Sequence, residues 1–275
     1  MRGHLGLWLG LSLLLVTGGL VAVGCVWLPA DPLAMGGERL LPPSPAHPMG
    51  TDWFGRDVLA RVLVGGRVSL AAALAAVALG AGVGTGLGGL AGYQGGLLEE
   101  LLMRGADLLL AFPPLLLALL LATVLGPGPW GIVIAIAVFN VPYFSRLTRG
   151  CLVSLREREF VLAAQALGAG GLRILGRHIL PHLVSPLLVQ LTVSLGGALL
   201  AEAAFSYLGL GTPPPTPSWG RMLKEAQSYF HLSPWPAVFP GLFIALTVLG
   251  LNLVGDGLRD LLDPQLRGLS GRLPR

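Results

Sequence analysis

Ser154-Leu-Arg-Glu-Arg-Glu-Phe-Val-Leu-Ala-Ala-Gln-Ala-Leu-Gly-Ala-Gly-Gly-Leu-Arg-Ile-Leu-Gly-Arg-His-Ile-Leu-Pro181 is a charged interval between two apolar runs, and its reading decides the fold. Ser154 and Glu157 have the S-x-x-E spacing of a capping box, in which hydroxyl and carboxylate satisfy orphan amides at a helix start. Phe160, Ala163, Ala164 and Leu167 then recur at helical spacing. Gly168, Gly170 and Gly171 allow a sharp stop, because glycine adopts left-handed backbone at little cost. A second short helix is expected to follow, with Leu172, Leu175 and Ile179 on one face, Arg173 and Arg177 on another, and Pro181 closing it. The interval therefore reads as a bracket of two short helices held outside a membrane.

The membrane follows from composition. Of 275 residues, 53% are hydrophobic and 12% charged, against about 25% charged in a soluble domain. Apolar runs cover Leu5–Leu28, Val68–Ala91, Gly105–Leu125, Trp130–Leu147, Leu183–Leu208 and Ala237–Leu258. Each approaches the roughly 20 residues a helix needs to cross the hydrocarbon. The expected fold is thus an all-α polytopic membrane protein with six transmembrane helices and the bracket between the fourth and fifth. The first run competes with a cleaved signal peptide, since Ala22-Val23-Gly24-Cys25 resembles a lipoprotein cleavage site. Its length and sparse flanking charge favour a retained helix.

Basic residues orient the chain. With the N-terminus inside, one side holds Arg2, Arg104, Arg146, Arg149, Arg156, Arg158, Arg173, Arg177, Arg259, Arg267, Arg272 and Arg275. The other holds Arg39, Arg56, Arg61, Arg67, Arg221 and Lys224. Twelve against six places both termini and the bracket in the cytoplasm by the positive-inside rule. The net charge of +4 is distributed between apolar runs, which argues against a nucleic-acid partner. Three regions are expected: an N-terminal helix and external segment over 1–67, a membrane core over 68–264 with the bracket at 154–181, and a cytoplasmic tail over 265–275.

Several chemistries are excluded or reduced. Lys224 is the only lysine, and it lies outside any G-x-x-x-x-G-K-[ST], so a phosphate-binding P-loop is absent. Gly84, Gly86 and Gly89 form a nominal G-x-G-x-x-G with Asp107 downstream, but no strand precedes them. Gly80, Gly84 and Gly88 have the small-xxx-small spacing that lets helices approach in lipid. His47, His178, His182 and His231 lack metal-ligand spacing. Cys25 and Cys151 fall near opposite faces and are not expected to pair. No catalytic, cofactor-binding or metal-binding residue is expected. Pro113-Pro114 favours a kink in the third span. The polar residues Glu202, Asn140, Asn252, Asp256 and Asp107 serve either the pathway or helix packing. Asp52, Arg56 and Asp57 are expected to organise the external segment.

The bracket resembles the EAA loop of binding-protein-dependent ABC importer permeases. It carries Ala163-Ala164, three residues, Gly168, then Leu180-Pro181. Leu162 stands in place of the motif's glutamate, and His178 in place of its isoleucine. Further segments, His47–Leu70, Met103–Leu121, Glu202–Gly220 and Phe239–Pro264, are similar to the C-type permeases for dipeptides, oligopeptides and nickel. The resemblance implies a permease subunit importing dipeptides or oligopeptides, with nickel or another small solute as the alternative. It implies a second permease subunit, two ATP-binding subunits carrying ATP and Mg, and an extracytoplasmic substrate-binding protein as partners, besides membrane lipid. Ala163, Ala164, Gly168, Arg173, Arg177, Leu180 and Pro181 become the ATPase-coupling loop. A secondary transporter acting alone would need intramembrane ionisable residues, of which the spans carry few.

Overall fold

Asp57 begins the longest element. Its carboxylate accepts from the Ala60 amide at 2.8 Å and caps α2 (Val58–Gln94), a helix of 37 residues. At about 1.5 Å per residue this helix is roughly 55 Å long, well beyond a hydrocarbon core of about 30 Å. The computed structural model describes residues 2–126 and 128–262, with the side chains of residues 2–4, 115, 118, 122, 123 and 172 outside the description. The tail over 265–275, with Arg267, Arg272, Arg275 and Pro264, lies outside the described residues, as do the side chains of Arg2 and Leu172.

The described chain is almost wholly helical. Around α2 stand α1 (Arg2–Val26), α3 (Gly96–Ala111), α4 (Pro114–Leu125), α5 (Pro129–Arg156), α6 (Glu159–Ala166), α7 (Gly171–Arg173), α8 (Leu180–Leu208), α9 (Trp219–Gln227) and α10 (Trp235–Leu262). Among the described residues the only strand-like feature is an isolated bridge between Thr51 and Asp57.

Helix boundaries depart from expectation in four places. The short helix expected from Asp57 and the second span are one helix, so the 67/68 boundary falls inside α2. The connection expected over Tyr93–Arg104 is mostly helix: only Gly95, at φ 68°, separates α2 from α3, whose first residue Gly96 also has positive φ, 63°. Its charges support helix instead of breaking it, Glu100 pairing with Arg104 one turn on at 2.6 Å. The third span is two helices. Proline lacks the amide a helix interior needs, and the chain turns extended at Phe112 and Pro113 before α4 begins. Among the described residues, five helices are therefore long and apolar enough to cross a membrane unbroken.

The fourth departure is in the bracket. Ser154 is still inside α5 and donates its hydroxyl to the Cys151 carbonyl at 2.9 Å. No orphan amides exist there, so the expected capping box does not form; α6 starts from Arg158. The second short helix is not separate either. α7 continues through a π-helical stretch, Ile174–Ile179, into α8. Pro181 directly follows the π stretch in the first turn of α8 and does not close a helix. Gly168, at φ 78°, supplies the expected elbow.

The main core is shared by α2, α5, α8, α9 and α10. Val58, Val62, Ala76, Phe144, Leu199 and Trp219 are its most buried members. α2 and α5 meet at the glycine ridge: a Cβ on Gly80 or Gly84 would stand 2.7 or 2.5 Å from the Ala137 or Val141 carbonyl, and one on Gly88 would strike that of Ser145. A Cβ on Gly82, Gly86 or Gly89 would meet nothing. The small-residue spacing is therefore a packing seam, and two of the three glycines of the nominal nucleotide fingerprint face open space.

Candidate functional site

Three structures are built on this frame: the bracket at one end, a cap at the other, and a cavity between. In the bracket, Val161 and Ala164 of α6 turn inward onto Leu152, Ile174, Ile179 and Leu183. Phe160 meets the His182 ring at 5.2 Å between centroids. Arg156 donates to the Gly92 carbonyl at 2.9 Å, and Arg149 to Glu99 at 2.6 Å. Arg146 pairs with Asp107, which accounts for that acid. The bracket is thus fastened to the ends of α2, α5 and α8, while Arg149 and Arg146 tie α5 to α3 beside it.

What it presents outward is mixed. Leu162 is 51% exposed and Leu167 89%. Ala163, Gly168, Arg173, Arg177, Leu180 and Pro181 are also exposed, whereas Ala164 packs inside. Neither Arg173 nor Arg177 pairs with an acid among the described residues. Exposed leucines and two unpaired guanidinium groups within one short segment can receive a protein surface carrying carboxylates around a greasy cleft. Of the seven expected coupling residues, six are exposed and Ala164 is buried.

The cap joins the external segment to the loop after α8. Glu225 of α9 accepts from Arg56 at 2.9 Å, from Arg61 at 2.8 Å and from Arg221 at 2.8 Å. Asp52 accepts from Arg56 Nε at 2.7 Å and holds the Phe54 and Arg56 amides. His47 Nδ1 lies 2.8 Å from Asp57, tying the segment to the helix cap. Trp219 is fully buried, its indole donating to the Val62 carbonyl at 2.9 Å. Tyr229 stacks on Trp53, and its phenol is pushed up to about 12 by burial first, then by the nearby Asp52 and Glu225 carboxylates. Asp52, Arg56 and Asp57 do organise the segment, but the partners Arg61 and Glu225 are far apart in sequence and carry no local signal.

The expected intramembrane polar residues do not converge. Glu202 is buried under the cap, accepting from Ser206 at 2.7 Å with Ser69 and Ser218 beside it. Asn252 faces Gly196 across the α8–α10 contact, and Asp256 is exposed near the end of α10. Asn140 alone lines a cavity, of about 300 Å³, between α4, α5 and α8. Tyr143, Gln190 and Ser194 share it. Sequence reading missed these three, although Asn140/Tyr143 at i,i+3 and Gln190/Ser194 at i,i+4 were available as same-face pairs. Among the described residues, no three His, Cys, Asp or Glu side chains gather as a metal site.

Comparison with known proteins agrees with this architecture. Residues 84–268 match the family described as "Binding-protein-dependent transport system inner membrane component". The dipeptide transport system permease protein DppC of Alkalihalophilus pseudofirmus is 46% identical over 84% of this chain and 76% of its own length. The glutathione transport system permease protein GsiD is 46% identical in Pectobacterium atrosepticum and 49% identical in Escherichia coli, over 82% of this chain and 75% of theirs. An inward-facing structure of the MetNI methionine ABC transporter superposes with a TM-score of 0.60 at 15% identity, over 74% of this chain and 96% of that one, and shows the shared fold. The chain belongs to the family of inner-membrane components of binding-protein-dependent ABC transport systems.

Proposed function

We propose that this chain is the transmembrane subunit through which an ABC importer passes dipeptides or oligopeptides across the cytoplasmic membrane. The observation that carries the reading is 46% identity, over 84% of the chain, to a permease named for dipeptide transport. The second group of relatives is named for glutathione, which is itself a short peptide.

A second permease completes the pore, two ATP-binding subunits hold ATP and Mg below it, and one of them receives the bracket of this chain. The chain contains no P-loop of its own, so hydrolysis belongs to those subunits. The exposure of Leu162, Leu167, Arg173 and Arg177 supports docking there. Gly168 sets the angle of the lever, and Ala164 fixes it to the spans. On the basic-residue split, bracket and termini are cytoplasmic and the cap faces the substrate-binding protein. The continuous path from α7 through the π stretch into α8 supports transmission of bracket movement to the cavity wall.

Affinity purification from native membrane is the test. It should recover an ATP-binding subunit, a second permease and, by mass spectrometry of the associated binding protein, a bound peptide. A single chain that transports unaided would overturn the proposal.

A further inference from the structure

We propose that the cavity between α4, α5 and α8 contacts the translocated peptide through uncharged amide and hydroxyl groups, so that this wall reads peptide backbone and not peptide charge. The inference rests on the peptide-import reading above.

The cavity of about 300 Å³ is at the small end of ligand pockets, which run from about 300 to 1,000 Å³. Its lining is apolar except for Asn140, Tyr143, Gln190 and Ser194, and none of its lining residues is charged. Polar side chains between membrane helices usually serve as glue, bonding from one helix to the next. These do not. Asn140 donates to the Ile136 carbonyl of its own helix at 2.8 Å, and Gln190 donates to Ser194 of its own helix at 3.1 Å. Each bond uses one amide hydrogen. Among the described residues, nothing takes the carboxamide oxygens, the second amide hydrogens or the Ser194 hydroxyl hydrogen, and these remain for a guest.

Asn140 and Ser194 are 6% and 7% exposed, so they face the cavity and not the lipid at large. A peptide backbone offers the matching donors and acceptors at every residue. Phe139 and Tyr143, in edge contact at 5.4 Å, add an aromatic wall for its planes and side chains. A wall with no formal charge has no electrostatic preference among cationic, neutral and anionic peptides. Breadth of substrate follows from this chemistry.

The test uses the complete transporter in proteoliposomes with its binding protein. Three tripeptides, with lysine, alanine or glutamate in the middle, are taken up, and each variant rate is divided by the wild-type rate for the same peptide. That division cancels the binding protein's own preference. Gln190→Glu should lower uptake of the glutamate peptide about tenfold more than that of the lysine peptide, the scale of one charge-dependent contact. Gln190→Leu should lower all three by a common factor. Equal, unchanged ratios in both variants would overturn the inference while leaving peptide import standing. Lower yield of the assembly without any loss of uptake per assembled transporter would make the cavity a lipid- or helix-packing surface, and would overturn it too. If wild type moves no peptide, the functional reading fails and takes this inference with it. Where glutamate at position 190 prevents assembly, Ser194→Ala serves: a common loss for all three peptides supports the inference, and no loss overturns it.

Discussion

Replacing Glu225 with methionine should unfasten the cap, and the structure sets the size of the effect. Glu225 holds Arg56 at 2.9 Å and Arg61 at 2.8 Å, and those two side chains are 5% and 1% exposed. The two buried guanidinium groups thus share Asp52 and the partly exposed Glu225, which also holds the partly exposed Arg221. Removing Glu225 leaves Asp52 alone against both cations. Breaking a buried ion pair costs about 3–5 kcal/mol, mainly because the remaining charge is stranded. Glu225 is itself 21% exposed, so water returns part of this, and about 2–3 kcal/mol is expected. At about 2–4 °C per kcal/mol for a chain of this size, the melting temperature should fall by roughly 5–10 °C. Trp53 and Trp219 lie in the cap, so intrinsic fluorescence of the detergent-purified assembly reports the transition. The double variant Arg61→Met/Glu225→Met restores the balance, leaving Asp52 with Arg56 at 2.7 Å. It should melt closer to wild type than the Glu225 variant does, because apolar replacement of a whole buried pair is often neutral. A Glu225→Met protein as stable as wild type, or a double variant whose loss equals the sum of the singles, would refute the charge-balance argument.

Other positions give further outcomes. Gly84→Leu should abolish or strongly reduce assembly, since its Cβ would stand 2.5 Å from a backbone carbonyl of α5, while Gly86→Leu, with open space, should assemble normally; membrane yield compares them. Gly168→Val forces a left-handed conformation costing about 1–2 kcal/mol at φ 78°. It should insert normally yet lower uptake per ATP hydrolysed several-fold, and unchanged coupling would remove the elbow's role. The Tyr229 phenol ionises near 12 in the fold and near 10 when unfolded. The raised value favours the neutral folded form, so its contribution is complete below pH 10 and lost between pH 10 and 12. Over that window wild type should lose thermal stability more steeply than Tyr229→Phe.

What the sequence made legible depended on how local the physics was. Apolar runs other than Gly105–Leu125, the Gly80–Gly84–Gly88 seam and the Gly168 elbow each arise from neighbours along one helix or one turn, and the structure has them where they were expected. Boundaries failed where a local signal met a stronger continuing helix. Ser154 and Glu157 had the spacing of a cap, yet α5 ran on to Arg156 and left no amides to cap. Pro181 looked like a stop, but it directly follows the π stretch in the first turn of α8, and the helix runs on. Glu99, Glu100 and Arg104 read as a polar connection because their partners, one turn away or on α5, were not visible. The same blindness hid the Arg61–Glu225 pair, 164 residues apart, and the cavity formed by Asn140 with Gln190 and Ser194.

The central claim is that this chain moves peptides as one part of an ATP-driven assembly. Its most direct test is uptake of a radiolabelled dipeptide into proteoliposomes containing the chain, its companion permease, the ATP-binding subunits and the binding protein. The account predicts accumulation that requires ATP and every component, and none with this chain alone. Peptide uptake by the isolated chain, or an assembly that hydrolyses ATP and accumulates nickel or another solute but no peptide, would contradict it.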